Sequence, residues 1–142
     1  MTRIFLDASV IFSACYSSRG HSHDLILMAV RGEYDLVSSK LVVEEARRNL
    51  ARTSGDYVLF LDFVLENIPI DYVRPTKRQV LSAASHVALK DAPIVAAAKR
   101  AQVDLLVSLD KKHLLGRPEL AKYAGAEIVT PREAIIQLRR VN

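Results

Sequence analysis

Two aspartates stand at the ends of apolar stretches that have the character of buried strands. Asp7 closes the run RIFLD near the start of the chain, and Asp110 closes LLVSLD near its end. Ligands of open α/β sheets bind outside the carboxyl ends of the strands, so a carboxylate at such an end is placed for chemistry. Each aspartate also has a structural interpretation, because an Asp after a strand commonly caps a helix or starts an Asx turn.

A third acid, Asp91, opens a predicted helix with a proline in its first turn, so helix capping is its simplest role. Apolar residues three, four and seven positions later put this carboxylate above the core-facing stripe of the helix. Capping and metal binding are compatible roles. If the strands that end at Asp7 and Asp110 are neighbours, Asp91 emerges beside both.

The fourth acid lies in the predicted helix SKLVVEEARRNLART, where two glutamates are adjacent. With about 100° of rotation per residue and Ala46 at the centre of the buried face, Glu45 lies at the flank of that face. Glu44 points almost opposite, on the row of Arg48, and is expected to be a solvated partner of that arginine. Glu45 is therefore the candidate that looks along the sheet edge, with a half-exposed flanking charge as its structural alternative.

Converging carboxylates would repel one another and raise one another's pKa values. A hard divalent cation removes that repulsion, and Mg²⁺ and Mn²⁺ prefer oxygen ligands. Such a site suits hydrolysis of a phosphodiester bond by a water that the metal activates. The sequence has no Cys/His cluster with zinc spacing, no G-x-S-x-G and no G-x-x-x-x-G-K loop, which disfavours a zinc site and nucleophilic catalysis.

The elements that must position these acids alternate along the chain. Hydrophobic periodicity predicts strands at RIFLD, EYDLVSS, IPIDYV, VDLLVSL and EIV. It predicts helices at HSHDLILMAVRG, SKLVVEEARRNLART, DYVLFLDFVLEN, KRQVLSAASHVAL, DAPIVAAAKRAQ, GRPELAKYAG and TPREAIIQLRR, the last opened by a capping box of Thr130 and Glu133. We predict an α/β fold, a three-layer α/β/α sandwich with a mostly parallel central sheet, in one domain over residues 1–142.

Composition limits the class of partner and the compartment. A net charge of +4 and a pI near 9.4 suit an anionic partner. The single cysteine, Cys15, and the lack of a secretory pattern at the start predict a reducing, cytoplasmic setting. Uncharged stretches are too short to span a bilayer, so we predict no membrane segment.

The motifs FLDASVIFSA, VVEEARRNL, LKDAPIVAAAKRAQVDLLVSLDKKHL and GAEIVTPREAI, in this order, resemble the PIN-domain family. These are small metal-dependent ribonucleases that include toxins of prokaryotic toxin–antitoxin pairs. The resemblance implies a PIN-like fold, endoribonuclease activity with Mg²⁺ or Mn²⁺, and an antitoxin protein as partner. It implies that the catalytic and metal-binding acids are Asp7, Glu45, Asp91 and Asp110.

By the same resemblance, the hydroxyls of Ser9 and Ser108 orient carboxylates or metal-bound water, with a helix cap and an ordinary strand-end serine as their structural alternatives. After Asp110 the chain departs from the family. Many members carry a further acid there, whereas this chain has two lysines and a histidine. A fifth acidic ligand is therefore doubtful, and this turn either meets phosphates or is simply solvated.

Basic residues around the acids are candidates for contact with RNA. The set is Arg48, Arg52, Lys111, Lys112 and His113, and Arg47, Lys99 and Arg100 extend the same rim. There is no tryptophan, and no aromatic pair is placed in the sequence like a base-stacking platform. We expect affinity for RNA to rest on phosphate contacts and to fall steeply with salt.

The main alternative to a ribonuclease is a non-catalytic PIN-like module that binds RNA or a protein. Retention of all the acids argues against it. A receiver-type domain would need an acidic pair or a D-x-D motif near the first strand, and DASVI has neither. We also expect a homodimer, because the helices around DLILMAV and YVLFLDFVL carry enough apolar surface to support one.

Overall fold

A parallel sheet forms the centre of the protein. The computed structural model describes residues 1–141, and Asn142, the last residue of the expected domain, lies outside the described residues. Within that range the sheet has five strands in the order β3-β2-β1-β4-β5, and all of its neighbouring strands are parallel. The strands are β1 (Arg3–Leu6), β2 (Asp35–Ser38), β3 (Asp71–Tyr72), β4 (Leu105–Val107) and β5 (Glu127–Val129).

Helices cover both faces of this sheet and complete the predicted α/β/α sandwich. Over residues 1–141 they are α1 (Ala8–Tyr16), α2 (His21–Val30), α3 (Lys40–Ala51), α4 (Gly55–Asn67), α5 (Lys77–Ala83), α6 (Ala92–Ala101), α7 (Pro118–Ala124) and α8 (Pro131–Val141). Helices α1 to α4 pack together with α8 against α2, and α5, α6 and α7 form the other group. None of the helices in this range has both the length and the apolar character that a membrane span requires.

The central strand β1 is buried on both faces. Ile4, Phe5 and Leu6 have no exposed surface, and the neighbouring β4 residues Leu106 and Val107 have none either. A strand covered on both faces reads as a continuous apolar run, which is why RIFL lacks the alternation of a surface strand. Because β1 is buried on both faces, its carboxyl end holds the residue that follows it in a fixed position.

Local signals in the sequence set the bounds of several helices. The Ser39 hydroxyl accepts a hydrogen bond from the amide of Val42 at the start of α3. Thr130 and Glu133 form the predicted capping box, with reciprocal hydrogen bonds of 3.2 and 3.0 Å. Helix α7 ends at Gly125, whose φ of 71° is a left-handed conformation that glycine adopts without steric cost.

One helix is shorter than the sequence predicts. The segment KRQVLSAASHVAL is helical only over Lys77–Ala83. Its last turn tightens because Ser85 and His86 donate to carbonyls three residues back. The chain then turns so that Val87 is buried, and a 3₁₀ helix over Leu89–Asp91 leads into α6.

The register of the strands places the candidate acids at one edge. Leu6 pairs with Val107 as the last residues of β1 and β4, so Asp7 and Ser108 follow at the same carboxyl edge. The strand order reverses direction between these two strands, which is the switch point where α/β folds bind ligands. The strands that precede Asp7 and Asp110 are therefore neighbours, as the predicted site requires.

Candidate metal centre

Asp7 is held at the end of β1 by several hydrogen bonds. Its Oδ1 accepts from the Ser9 hydroxyl at 2.5 Å and from the Val10 amide at 3.2 Å, and its Oδ2 accepts from the Ser108 hydroxyl at 2.5 Å. Burial raises the pKa of this carboxyl, and the hydrogen bonds oppose that rise without cancelling it. Asp7 thus caps α1 and also faces the cavity described below.

The two serines link the strand ends to each other. Ser108 is fully buried and donates to Asp7, while its oxygen accepts from the Asp110 amide at 3.0 Å. Ser9 donates to Asp7, and its oxygen accepts from the Leu109 amide at 3.2 Å. These contacts fix the separation of Asp7 from the turn that carries Asp110.

Asp91 does not make the capping hydrogen bond that the sequence predicts. Its backbone has φ −97° and ψ −8°, in the helical region, because it ends the 3₁₀ helix, whereas a capping side chain requires an extended backbone. The residue is only 7% exposed, and its Oδ2 is buried without a hydrogen-bond partner. Burial and the nearby Asp110 carboxylate raise the pKa of Asp91, against lowering by Lys90 and His113.

Asp110 is fixed by the turn that follows it. Its Oδ1 accepts from the amides of Lys112 and His113 at 3.0 and 2.9 Å, and its Oδ2 lies 3.1 Å from His113 Nδ1. Partial burial raises the pKa of Asp110, but the hydrogen bonds and charge of His113 and the Lys112 amide bring it below the usual value. Ligand atoms of Asp91, Asp110 and His113 all lie within 4.8 Å of one another.

An open cavity of about 560 Å³ joins these residues to the other acids. It is lined by Asp7, Ala8, Ser9, Phe12, Ser13, Glu45, Asn49, Arg52, Lys90, Asp91, Ile94, Leu109 and Asp110. Glu45 reaches it from α3 as an exposed carboxylate, whereas Glu44, equally exposed, is not among the described lining residues. The structure brings the four predicted acids to one cavity, with Asp91 and Asp110 closest to His113.

These residues fit a divalent cation. Asp91 Oδ2 is an acceptor removed from water with nothing to bind, which is costly unless a cation or proton compensates it. Carboxylate oxygens beside one imidazole nitrogen form a donor set for Mg²⁺, Mn²⁺ and their neighbours in the first transition series.

Comparisons with known proteins identify the family and the fold. The sequence matches a family model described as PIN domain over residues 3–112. The chain belongs to the PIN-domain family. In fold it is similar to the crystal structure of PAE2754 from Pyrobaculum aerophilum, with a TM-score of 0.64, 19% sequence identity and coverage of 98% of each chain. No curated protein sequence matches the chain.

Membership confirms the resemblance drawn from the four motifs. PIN domains are in general metal-dependent nucleases, so the chain has a nuclease fold whose acidic cluster is suited to a metal. The match ends at Lys112, and so it covers the four acids but not the histidine that follows.

The basic residues predicted to meet RNA are divided by the structure. Arg52 lines the cavity of this PIN domain, and His113 contacts Asp110 instead of lying free in a solvated turn. Arg48, Lys111 and Lys112 are exposed and are not among the described lining residues.

Other members of the wider predicted rim lie away from the cavity. Lys99 and Arg100 are in the last turn of α6, where they contact the Tyr123 carbonyl and the Gln79 side chain. Arg47 forms an ion pair with Asp62 of α4 at 2.8 Å. These three residues therefore do not belong to the described lining of the cavity, although the sequence predicts them around the acids.

Sequence reasoning missed two features of the cavity. Lys90 lines the cavity. It directly precedes the buried Asp91 in the sequence, and the prediction of Asp91 as a site residue already indicated this position. Phe12 also lines it and stacks on Tyr16 with ring centroids 5.4 Å apart, and Tyr16 contacts Tyr57 at 5.1 Å. The i, i+4 spacing of Phe12 and Tyr16 in the sequence indicates this stacked pair. The expectation that no aromatic pair forms a base-stacking platform stays a prediction.

Proposed function

We propose that this PIN domain is a divalent-metal-dependent endoribonuclease that uses Mg²⁺ or Mn²⁺ to hydrolyse RNA phosphodiester bonds. The observation that carries the proposal is the buried, unpartnered Asp91 Oδ2 beside Asp110, in the cavity that Asp7 and Glu45 also line. A structural role for Asp91 would have given that oxygen a hydrogen-bond partner. Its availability supports a ligand role.

The chain's own residues divide the work of such a reaction. Ser9 and Ser108 fix the orientation of the Asp7 carboxylate, and the backbone amides after Asp110 fix the orientation of the Asp110 carboxylate. Both carboxylates are therefore positioned before a cation binds. Asp7, Asp91 and Asp110 would hold the cation, which when bound would supply positive charge for the phosphate and lower the pKa of a water.

The remaining cavity residues suit binding of the RNA strand. Arg52 and Lys90 bring positive charge to the cavity rim, where phosphates would lie. Phe12 offers an aromatic face next to the acids for a nucleobase. Glu45 is exposed at the rim of the cavity, where its carboxylate would support the metal site by orienting water.

Substitution of Glu45 and Glu44 gives a matched pair that tests the site. Labelled RNA is incubated with purified protein and Mn²⁺ or Mg²⁺, beside a sample with EDTA. Glu45→Gln is expected to lower the cleavage rate by about tenfold or more, the scale seen when a group that supports a metal site is lost. Glu44→Gln is expected to cleave like the wild type because Glu44 lies on the same helix away from the cavity.

Cleavage that persists in EDTA would contradict the proposal, and so would equal losses in the two glutamate variants. Tight binding of RNA without cleavage under any metal condition would favour the alternative, a non-catalytic PIN-like module. These outcomes separate the enzyme from the binding protein.

We further propose that the enzyme is the toxin of a toxin–antitoxin pair, acts in the cytoplasm and forms a homodimer. The support is the family resemblance, the buried free thiol of Cys15, and the exposed Leu59 and Phe63 on α4. A toxin role predicts that induced expression of the wild type arrests bacterial growth and that Glu45→Gln relieves the arrest while Glu44→Gln does not. Unimpaired growth with abundant, folded wild-type protein would remove the toxin role and leave the nuclease proposal standing.

A further inference from the structure

His113 lies three residues after Asp110, in the turn that follows β4. Its Nδ1 is 3.1 Å from Asp110 Oδ2, and both belong to the group of ligand atoms that includes Asp91. Two ligand atoms at right angles on one cation, each about 2.1 Å from it, are about 3.0 Å apart. The observed separation, which is also that of a hydrogen bond, is short enough for both atoms to bind one cation.

The turn that carries His113 is firmly held. Its amide donates to Asp110 Oδ1 at 2.9 Å, and its carbonyl accepts from Arg117 at 3.1 Å. The next residue, Leu114, is fully buried in the core between α6 and α7, and its amide donates to the Asp110 carbonyl. The backbone of the turn is thus held in place, and the partly buried imidazole contacts Asp110.

A second observation points to a ligand between these groups. Asp91 Oδ2 is more than nine-tenths buried, lacks any hydrogen-bond partner, and belongs to a residue of the same group of three. An ordinary ion pair between His113 and Asp110 leaves that oxygen unexplained. A cation bound by all three residues accounts for it.

We propose that His113 is a metal ligand of this PIN domain and that its imidazole shifts the site from Mg²⁺ towards Mn²⁺ and later first-row metals. The inference rests on the proposed metal-dependent function. Oxygen-only sites suit Mg²⁺, whereas an imidazole nitrogen raises affinity along the series from Mn²⁺ to Ni²⁺. The residue at position 113 would then determine which metal the enzyme uses.

The test is direct titration of the purified 142-residue protein with MnCl₂ and with MgCl₂ by calorimetry. The variants are His113→Asn, which removes the ligand, and His113→Asp, which restores an oxygen ligand. We expect His113→Asn to weaken Mn²⁺ binding by roughly tenfold or more. We expect the ratio of the Mg²⁺ to the Mn²⁺ dissociation constant to fall by roughly tenfold in His113→Asp, because an oxygen has replaced the nitrogen.

A spectroscopic measurement separates ligation from a supporting role. Pulsed electron paramagnetic resonance of the Mn²⁺ complex is expected to show coupling to a directly bound ¹⁴N in the wild type and none in either variant. Circular dichroism checks that the variants are folded, and Lys111→Asn, an exposed neighbour that is absent from the cavity lining, is expected to bind both metals like the wild type.

Each failure has a distinct meaning. If the wild type binds neither metal, the proposed metal-dependent function falls together with this inference. If it binds Mn²⁺ but shows no ¹⁴N coupling, or if His113→Asp keeps the wild-type metal ratio, His113 is not a ligand and the nuclease proposal is untouched.

Discussion

Asp7→Asn is expected to lower RNA cleavage by at least about 100-fold, because the charge stabilisation that a bound cation gives the transition state is worth several kcal/mol. The same substitution is expected to raise the melting temperature of the metal-free protein. Asp7 is 4% exposed, and burial raises the pKa of its carboxyl, so its charge destabilises the folded state when no cation is bound. Asn keeps an oxygen that can accept from the Val10 amide and so preserves the cap of α1.

The gain in stability should depend on pH with a definite sign. Below the ordinary Asp pKa of 3.8, the carboxyl is protonated in both the folded and the unfolded chain, so the wild type carries no penalty. As the pH rises from this value to the higher pKa of the folded state, the unfolded chain releases the proton of Asp7 while the folded chain retains it, so the wild type loses stability. The advantage of Asp7→Asn therefore develops between these two pKa values and is constant above them.

The measurement is thermal or urea unfolding in EDTA over this pH range, compared with Asp35→Asn. Asp35 is an exposed acid at the amino end of β2, the opposite edge of the sheet, and its loss should change neither cleavage nor the pH profile. An unfolded Asp7→Asn protein would show that the carboxylate is needed mainly as a helix cap. Cleavage at the wild-type rate would exclude Asp7 from the reaction.

The carboxyl edge of the sheet could be predicted because its signals are local. Apolar runs without alternation indicate strands that are buried on both faces. An acid directly after such a run lies at the carboxyl edge of the sheet, because its charge is not accommodated in the core. Helical rotation was likewise enough to choose Glu45 over Glu44, since only the position relative to the buried Ala46 mattered.

The features that the sequence could not supply depend on short turns and on contacts between distant segments. The backbone of Asp91 is set by the 3₁₀ helix before it, so a rule for ordinary helix starts predicted a cap that does not form. Ligand atoms of His113 and Asp91, which are 22 positions apart in the sequence, lie within 4.8 Å of each other. Neither the backbone conformation of Asp91 nor the approach of His113 to it produces a periodic pattern in the sequence.

Addition of Mn²⁺ is expected to raise the melting temperature of the wild type, and Asp91→Asn is expected to abolish most of that rise. A ligand that binds only the folded state, at 100 times its dissociation constant, stabilises a protein by about 2.7 kcal/mol. For a domain of this size such a gain corresponds to roughly 5–10 °C. Among the described residues, the buried Oδ2 of Asp91 is the side-chain acceptor without a hydrogen-bond partner. We therefore expect its loss to remove the largest part of the rise in melting temperature.

Differential scanning calorimetry of the wild type and of Asp91→Asn, each with EDTA and with Mn²⁺, measures this response. Asp104→Asn is the matched control, because Asp104 is an exposed acid that binds the Arg3 amide at the amino edge of the sheet, away from the cavity. The control should be destabilised equally with and without metal, while Asp91→Asn should lose the difference between the two conditions. If Asp91→Asn still responds to Mn²⁺ like the wild type, the unpartnered oxygen is not the ligand that the nuclease proposal requires, and the metal must bind elsewhere in the chain.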